Sequence, residues 1–90
     1  MIKLMQVEYR CDYTIYCEFS DGMAGMHDLQ GLLTSSDTPL TVPLRDFVNF
    51  RKFFLRSGAL CWSNGLELDP QALYWELEKA GMLISIQKAA

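Results

Sequence analysis

The most regular pattern in the chain begins at Tyr13, where apolar and polar residues alternate as far as Ser20. The apolar set comprises Tyr13, Ile15, Cys17 and Phe19, and Thr14, Tyr16 and Glu18 lie between its members. A period of two places these sets on opposite faces of a strand. The pattern therefore predicts a half-buried β-strand, followed by a turn at residues 20–22 and a partner strand at residues 23–27.

The register of this first hairpin follows from which residues must share a face. Opposed residues in an antiparallel pair lie on the same side of the sheet. A two-residue loop would pair Phe19 with Ala24. It would also place the apolar side chain of Met23 on the same face as Glu18. A three-residue loop that ends at Gly22 pairs Met23 with Phe19 instead. We therefore predict the longer loop, with Gly22 in the left-handed conformation.

The same argument applies to a second hairpin between residues 60 and 68. An Asn-Gly turn of two residues would place Trp62 opposite a glutamate. A three-residue loop that ends at Gly65 sets Trp62 opposite Leu66, and Leu60 opposite Leu68. We therefore predict a positive φ at Gly65 as well.

The strongest helix pattern begins at Asp69. Asp69 is suited to cap the helix, Pro70 occupies its first position, and Gly81 is suited to end it. Helical spacing places one apolar stripe towards the sheet. The members of that stripe are Leu73, Leu77 and Ala80.

Two shorter helices are also predicted from capping residues. The first has Asp28 as its cap and continues to Leu33, and a polar loop follows at residues 34–39. The second is a single turn over residues 47–50, with Asp46 as its cap. We expect a strand through Phe53 and Phe54 after it. Residues 83–86 fit either a last strand or a helical extension, and both alternatives remain open.

These elements predict an α+β fold: a small antiparallel sheet built from two hairpins, one main C-terminal helix and one or two short helices. The length of 90 residues fits a single domain covering residues 1–90, with residues 81–90 as a tail. Half of the residues are hydrophobic, at 50%, so a core can form without a metal or a disulfide.

Charge and targeting features narrow the classes of function. The formal net charge is −3, and neither a signal peptide nor a membrane-spanning run is recognisable. We expect a cytoplasmic protein that does not bind a membrane. The three cysteines form no Cys-x-x-Cys pair and read as buried, reduced thiols. A small domain gains stability from association, so we expect a protein partner or self-association.

One cluster of cations departs from the acidic balance. Arg51, Lys52 and Arg56 are interspersed with phenylalanines, a composition that could bind single-stranded nucleic acid. The alternative is a strand with aromatic residues inside and cations outside. We favour this structural alternative and do not expect direct binding of nucleic acid.

The order of three motifs resembles the bacterial domain-of-unknown-function family 2442. The motifs are Phe19-x-Asp21-Gly22-x-x-Gly25-x-x-Asp28-Leu29, then Pro43-Leu44-Arg45-Asp46, then Trp62-x-Asn64-Gly65-x-x-Leu68-Asp69-Pro70-x-x-Leu73-Tyr74. The resemblance implies a small α+β fold like the N-terminal domain of a Nitrosomonas protein in which a helix-turn-helix follows. This chain is too short to carry such a helix-turn-helix. The resemblance also suggests one half of a two-component module of toxin and antitoxin style.

Candidate catalytic groups each have a structural explanation. His27, the single histidine, adjoins Asp28, but neighbours in a strand point to opposite faces. Cys61 lacks an identifiable base, and Arg45 beside Asp46 is suited to a surface ion pair. One histidine and three separated thiols show no metal-ligand spacing. We therefore predict no catalytic residue, no metal and no cofactor.

The sequence leaves a binding function as the leading hypothesis. We expect a non-enzymatic protein-interaction or regulatory domain, with binding residues at Arg45, Asp46, Trp62 and Tyr74. One alternative is a small enzyme or ligand-binding protein with a cleft near Cys61, His27 or Arg45. The other is the nucleic-acid surface at residues 51–56.

Overall fold

The computed structural model describes residues 1–86 and has an α+β fold with antiparallel sheets. The described strands are β1 (Leu4–Cys11), β2 (Thr14–Phe19), β3 (Met23–Asp28), β4 (Phe54–Arg56), β5 (Ala59–Cys61), β6 (Glu67–Leu68) and β7 (Ile84–Ser85). The described helices are α1 (Gln30–Thr34), α2 (Phe47–Phe50) and α3 (Pro70–Lys79), with a 3-10 helix at Val42–Arg45. The two predicted hairpins belong to separate sheets, ordered β1-β2-β3-β7 and β4-β5-β6.

The registers of both hairpins are confirmed. In the first hairpin Ile15 pairs with His27 and Cys17 pairs with Gly25. In the second, Leu60 pairs with Leu68, and the backbone N–H of Trp62 donates to the Leu66 carbonyl over 2.9 Å. The predicted positive φ values are confirmed too, at +86° for Gly22 and +103° for Gly65. The requirement that paired residues share one face of the sheet therefore determines the length of both loops.

Strand β1 was not predicted from the sequence. It pairs with β2 over its whole length, but the register shifts between Leu4 and Gln6 and again between Tyr9 and Cys11. Such irregularities insert a residue into one strand and move later side chains to the other face. The sequence alternates in β1 as it does in β2, since Met5, Val7, Tyr9 and Cys11 are separated by polar residues. Met5 and Cys11, which adjoin the two shifts, are nevertheless exposed.

The helices follow their capping residues, with two corrections. The carboxylate of Asp46 accepts the Val48 N–H at the start of α2, and that of Asp69 accepts the Gln71 N–H at the start of α3. Asp28 is not the cap of α1: it is the last residue of β3, and the cap position is Leu29. The Asp28 side chain instead accepts the Gln30 N–H over 2.9 Å and closes the turn into the helix.

The second correction concerns the end of α3. Leu73 and Leu77 are buried as predicted, but Ala80 occupies the C-terminal cap position and is exposed. At Ala80 the helix no longer packs against the sheet. The chain then turns at Gly81, where φ is +69°.

The segment after α3 resolves the alternative left open at residues 83–86. Ile84 and Ser85 form the short strand β7, which pairs with Ala24 and Met23. The strand expected through Phe53 and Phe54 begins one residue later, at Phe54. The rest of the predicted tail, residues 87–90, lies outside the described residues.

The core lies between the two sheets and α3. Its fully buried side chains include Ile15, Cys17, Leu33, Phe50 and Leu60. Among residues 1–86, no helix has the length and apolar character needed to cross a membrane.

Gly22 offers a test of the loop geometry. Replacing Gly22 with alanine should lower the free energy of unfolding by about 1–2 kcal/mol, because a side chain strains a left-handed backbone. No atom lies within 4 Å of the added Cβ, so the effect is strain and not a clash. Urea denaturation measures it.

Gly31→Ala is the matched control, since its added Cβ also meets no atom within 4 Å and it lies in α1. There alanine should raise stability by up to about 1 kcal/mol. Equal effects of the two substitutions would contradict the assigned loop.

Candidate functional site

A surface cleft lies between α1 and α3. Its volume is about 380 Å³, near the lower end of the range for small-ligand sites. The residues that line it are His27, Asp28, Leu29, Gly31, Leu32, Ser35, Leu68, Asp69, Ala72, Leu73 and Glu76. They come from the end of β3, from α1 and from the first two turns of α3.

The floor of the cleft is apolar. Leu29 and Leu73 are buried, with 2% and 4% of their surface exposed, and Leu68 packs against the same core. Ala72 and Glu76 stand one helical turn apart on α3, so both face the cleft. The small side chain of Ala72 leaves the opening clear.

His27 and Glu76 form one wall of the cleft. The imidazole Nε2 lies 2.8 Å from Glu76 Oε2, and the His27 side chain is 12% exposed while that of Glu76 is 59% exposed. A carboxylate only accepts hydrogen bonds, so Nε2 is the protonated nitrogen in this contact. The opposite ring nitrogen, Nδ1, is buried and has no hydrogen-bond partner among residues 1–86.

Two further carboxylates lie at the rim. Asp28 and Asp69 each use Oδ1 to accept a backbone N–H, from Gln30 over 2.9 Å and from Gln71 over 3.0 Å. Their second oxygens make no hydrogen bond within residues 1–86, and neither side chain is in an ion pair there. No lysine or arginine lines the cleft within the described residues. The rim therefore attracts cations.

The four binding residues predicted from the sequence do not line this cleft. Arg45 donates from Nε to the Leu33 carbonyl over 2.7 Å and from Nη2 to Asp37 Oδ1 over 2.7 Å. Asp46 caps α2. Their role in ligand binding stays a prediction, since each is already engaged in holding the fold.

Trp62 and Tyr74 are also occupied by contacts within the chain. Trp62 is 3% exposed, and its indole N–H donates to the Phe50 carbonyl over 2.8 Å. It lines a smaller cleft of about 220 Å³ together with Pro43, Leu44, Asn49, Lys52, Ser63 and Asn64. The Tyr74 hydroxyl donates to Asp21 Oδ2 over 2.6 Å. The structure therefore distributes the four residues over different parts of the molecule.

The residues of the alternative hypotheses are likewise separated. His27 lines the α1–α3 cleft, whereas Cys61 is buried in β5 of the other sheet. Arg45 is the last residue of the 3-10 helix. The cleft was missed from the sequence because its walls come from segments about forty residues apart. The polar partner of His27 is Glu76 and not the neighbouring Asp28.

The cationic segment after α2 makes no ion pair with residues 1–86. The guanidinium of Arg51 lies 4.8 Å from the centre of the Tyr9 ring, and that of Arg56 lies 5.3 Å from the centre of the Phe54 ring. Lys52 lies on the rim of the smaller cleft. These arginines therefore cover aromatic faces that stacked bases would need.

Comparison with known proteins gives one match. A family model described as "Protein of unknown function (DUF2442)" matches residues 4–78, a range that includes every residue lining the α1–α3 cleft. Searches of curated proteins and of solved structures find no match.

The thiols provide a test of the burial pattern. The prediction of buried cysteines is wrong for Cys11, which is exposed, whereas Cys17 and Cys61 are buried. Burial raises the pKa of the Cys17 thiol to about 12, so its reactive thiolate is scarce at neutral pH. Native protein should therefore show one fast-labelling thiol with a disulfide reagent, and denatured protein three. A fast phase that survives in Cys11→Ser would contradict this assignment.

Tyr74 provides a test by pH. Its hydrogen bond to the Asp21 carboxylate raises the pKa of Tyr74 to about 12, whereas the unfolded side chain titrates near 10. The folded protein thus holds this proton after the unfolded chain has lost it. The resulting stabilisation is complete below pH 10 and is lost as the pH rises towards 12.

The measurement compares wild type with Tyr74→Phe by urea denaturation at several pH values. The stability difference between the two should shrink above pH 10. Asp21→Asn keeps an acceptor for the Met23 N–H, which Asp21 Oδ1 binds over 3.0 Å, and it should remove the same pH dependence. A difference that stays constant from pH 8 to 11.5 is the contrary outcome.

Proposed function

The chain belongs to this family of unknown function, and from its own geometry we propose that it is a protein-binding domain whose α1–α3 cleft receives a segment of a partner. The segment carries an apolar side chain flanked by lysine or arginine. The observation that supports this most directly is the combination of a leucine floor with three carboxylates, those of Asp28, Asp69 and Glu76.

The apolar floor favours a side chain over a hydrated ion. Leu29 and Leu73 form its buried part, and transfer of an apolar side chain onto such a surface is favourable by roughly 25 cal/mol per Å² buried. A free inorganic cation would gain nothing from these leucines. The occupant therefore has an apolar portion.

The rim determines the charge of that occupant. Asp28 and Asp69 each keep one carboxylate oxygen without a hydrogen bond in the described residues. These oxygens are oriented by the backbone N–H groups that their partner oxygens bind. A lysine or arginine next to the apolar side chain pairs with them, whereas an acidic neighbour is repelled.

The state of His27 supports binding over acid–base catalysis. One ring nitrogen is held by Glu76 over 2.8 Å and the other is buried. A general base needs a nitrogen within hydrogen-bond reach of the substrate proton. In this arrangement the imidazole serves as a wall of the cleft. The family resemblance seen in the sequence suggests that this partner is the other half of a two-component pair, and in this proposal it carries the basic segment.

A short peptide tests the proposal directly. The probe is a fluorescein-labelled, amidated Lys-Lys-Leu-Leu-Lys-Lys peptide. The charge-reversed control peptide is Glu-Glu-Leu-Leu-Glu-Glu. Fluorescence anisotropy should show binding of the lysine peptide, weakened by added salt, and no binding of the glutamate peptide. Equal affinity for the two peptides would contradict the proposed role of the rim.

Two pairs of variants separate the floor from the rim. Ala72→Trp fills the cleft and should abolish binding, while Gln71→Trp adds the same ring one position away, on a residue that does not line the cleft. Asp28→Asn with Asp69→Asn keeps both backbone hydrogen bonds and removes two charges, so it should weaken binding roughly tenfold. Glu67→Gln with Glu78→Gln removes two charges elsewhere and should have little effect.

A further inference from the structure

A corner of the molecule at α2 has the chemistry that the cleft is suited to bind. Val48 is 64% exposed and Phe47 is 45% exposed, although both are apolar. Arg51 and Lys52 follow directly after this helical turn, three and four positions beyond Val48. We call Phe47, Val48, Arg51 and Lys52 the α2 corner.

The charges of the α2 corner are free to meet a partner. Arg51 and Lys52 are exposed and form no ion pair with residues 1–86. The guanidinium of Arg51 rests on the Tyr9 ring at 4.8 Å, which holds it beside the apolar surface. Asp46, the nearest acidic residue in sequence, accepts the Val48 N–H over 2.9 Å through Oδ1 and forms no ion pair with Arg51 or Lys52.

The cleft and the α2 corner are complementary in two respects. The cleft offers a leucine floor and unpaired carboxylates at Asp28 and Asp69, and the corner offers exposed apolar tips and unpaired cations. No residue of the corner lines the cleft. One copy can therefore present both surfaces at once.

We propose that the chain associates head to tail, with the α2 corner of one copy in the α1–α3 cleft of the next. This inference rests on the proposed function, because it takes the same cleft as the receiving surface. The contact joins two different surfaces, so it is heterologous and continues from copy to copy unless it closes into a ring. The occupied cleft is then unavailable to another partner, and self-association competes with partner binding.

The test uses two variants that each lack one of the surfaces. Ala72→Trp blocks the cleft, and Val48→Glu alters the α2 corner at an exposed position. Sedimentation velocity of the wild type should show a sedimentation coefficient that rises with concentration. Each variant alone should remain monomeric, with an association constant at least tenfold lower. Far- and near-ultraviolet circular dichroism confirms that both variants are folded.

Mixing the variants gives the decisive measurement. The Ala72→Trp chain keeps its corner and the Val48→Glu chain keeps its cleft, so an equimolar mixture should form dimers and nothing larger. Association through one self-complementary surface would not be restored in this way. Ile84→Glu is the control, because Ile84 is 58% exposed and lies in β7, away from both surfaces. It should associate as the wild type does.

The outcomes distinguish the two proposals. A wild type that stays monomeric at millimolar concentration, or an Ala72→Trp variant that associates normally, overturns head-to-tail association. If the lysine peptide still binds the wild type and not Ala72→Trp, the proposed function stands without it. If the mixing pattern is observed but the peptide does not bind Val48→Glu, whose cleft is open, the cleft serves self-association and the proposed function fails.

Discussion

The burial of Phe50 joins the two sheets of this protein. Its ring is fully buried and meets the rings of Tyr9 and Tyr13 at 6.3 and 5.4 Å on one side. On the other side it meets Trp62 at 5.7 Å, and its carbonyl accepts the Trp62 indole N–H. A four-residue helix has no stability of its own. Its position therefore depends on this aromatic packing and on the cap at Asp46.

The shape of the α1–α3 cleft depends on a second close contact. Gly25 has no side chain, and a Cβ placed there would lie 3.0 Å from the Met82 carbonyl oxygen and 3.1 Å from a methyl group of Leu77. Helix α3 therefore lies almost directly on β3. Because the helix is this close, Glu76 reaches His27, and the pair separates the main cleft from a smaller one of about 220 Å³ on its other side.

Much of the fold is predictable because it depends on neighbours in sequence. The two glycine loops follow from which residues share a face, and α3 follows from Asp69 and Pro70 at its start. Strand β1 was open to the same prediction, since Met5, Val7, Tyr9 and Cys11 alternate with polar residues. Its two register shifts leave no such signal in the sequence. Arg45 was expected to be a surface cation or to form a local ion pair beside Asp46, and its ion pair is instead with Asp37. Its bond to the Leu33 carbonyl depends on the path of the intervening chain.

The cleft could not be predicted from the sequence, because it too depends on contacts between distant segments. His27 and Glu76 are 49 positions apart, and only the docking of α3 on β3 brings them together. The carboxylates of Asp28 and Asp69 were both predicted to be caps; in the structure each uses one oxygen to accept a backbone N–H, Asp28 in the turn before α1 and Asp69 as the cap of α3. The second carboxylate oxygen of each residue becomes relevant to binding only because both residues lie at the rim of the same cleft. Residues with a structural role can thus carry a second one on the same side chain.

Strand β1 has a consequence for the tendency of this chain to aggregate. Within residues 1–86 it lies at the edge of its sheet, with β2 as its single strand partner. A long, flat edge invites another chain to add a strand and begin uncontrolled aggregation. Here two bulges bend the edge, and the exposed side chains of Glu8 and Arg10 pair over 3.0 Å along it. Backbone templating at this edge is therefore disfavoured, so the edge resists the addition of a further strand.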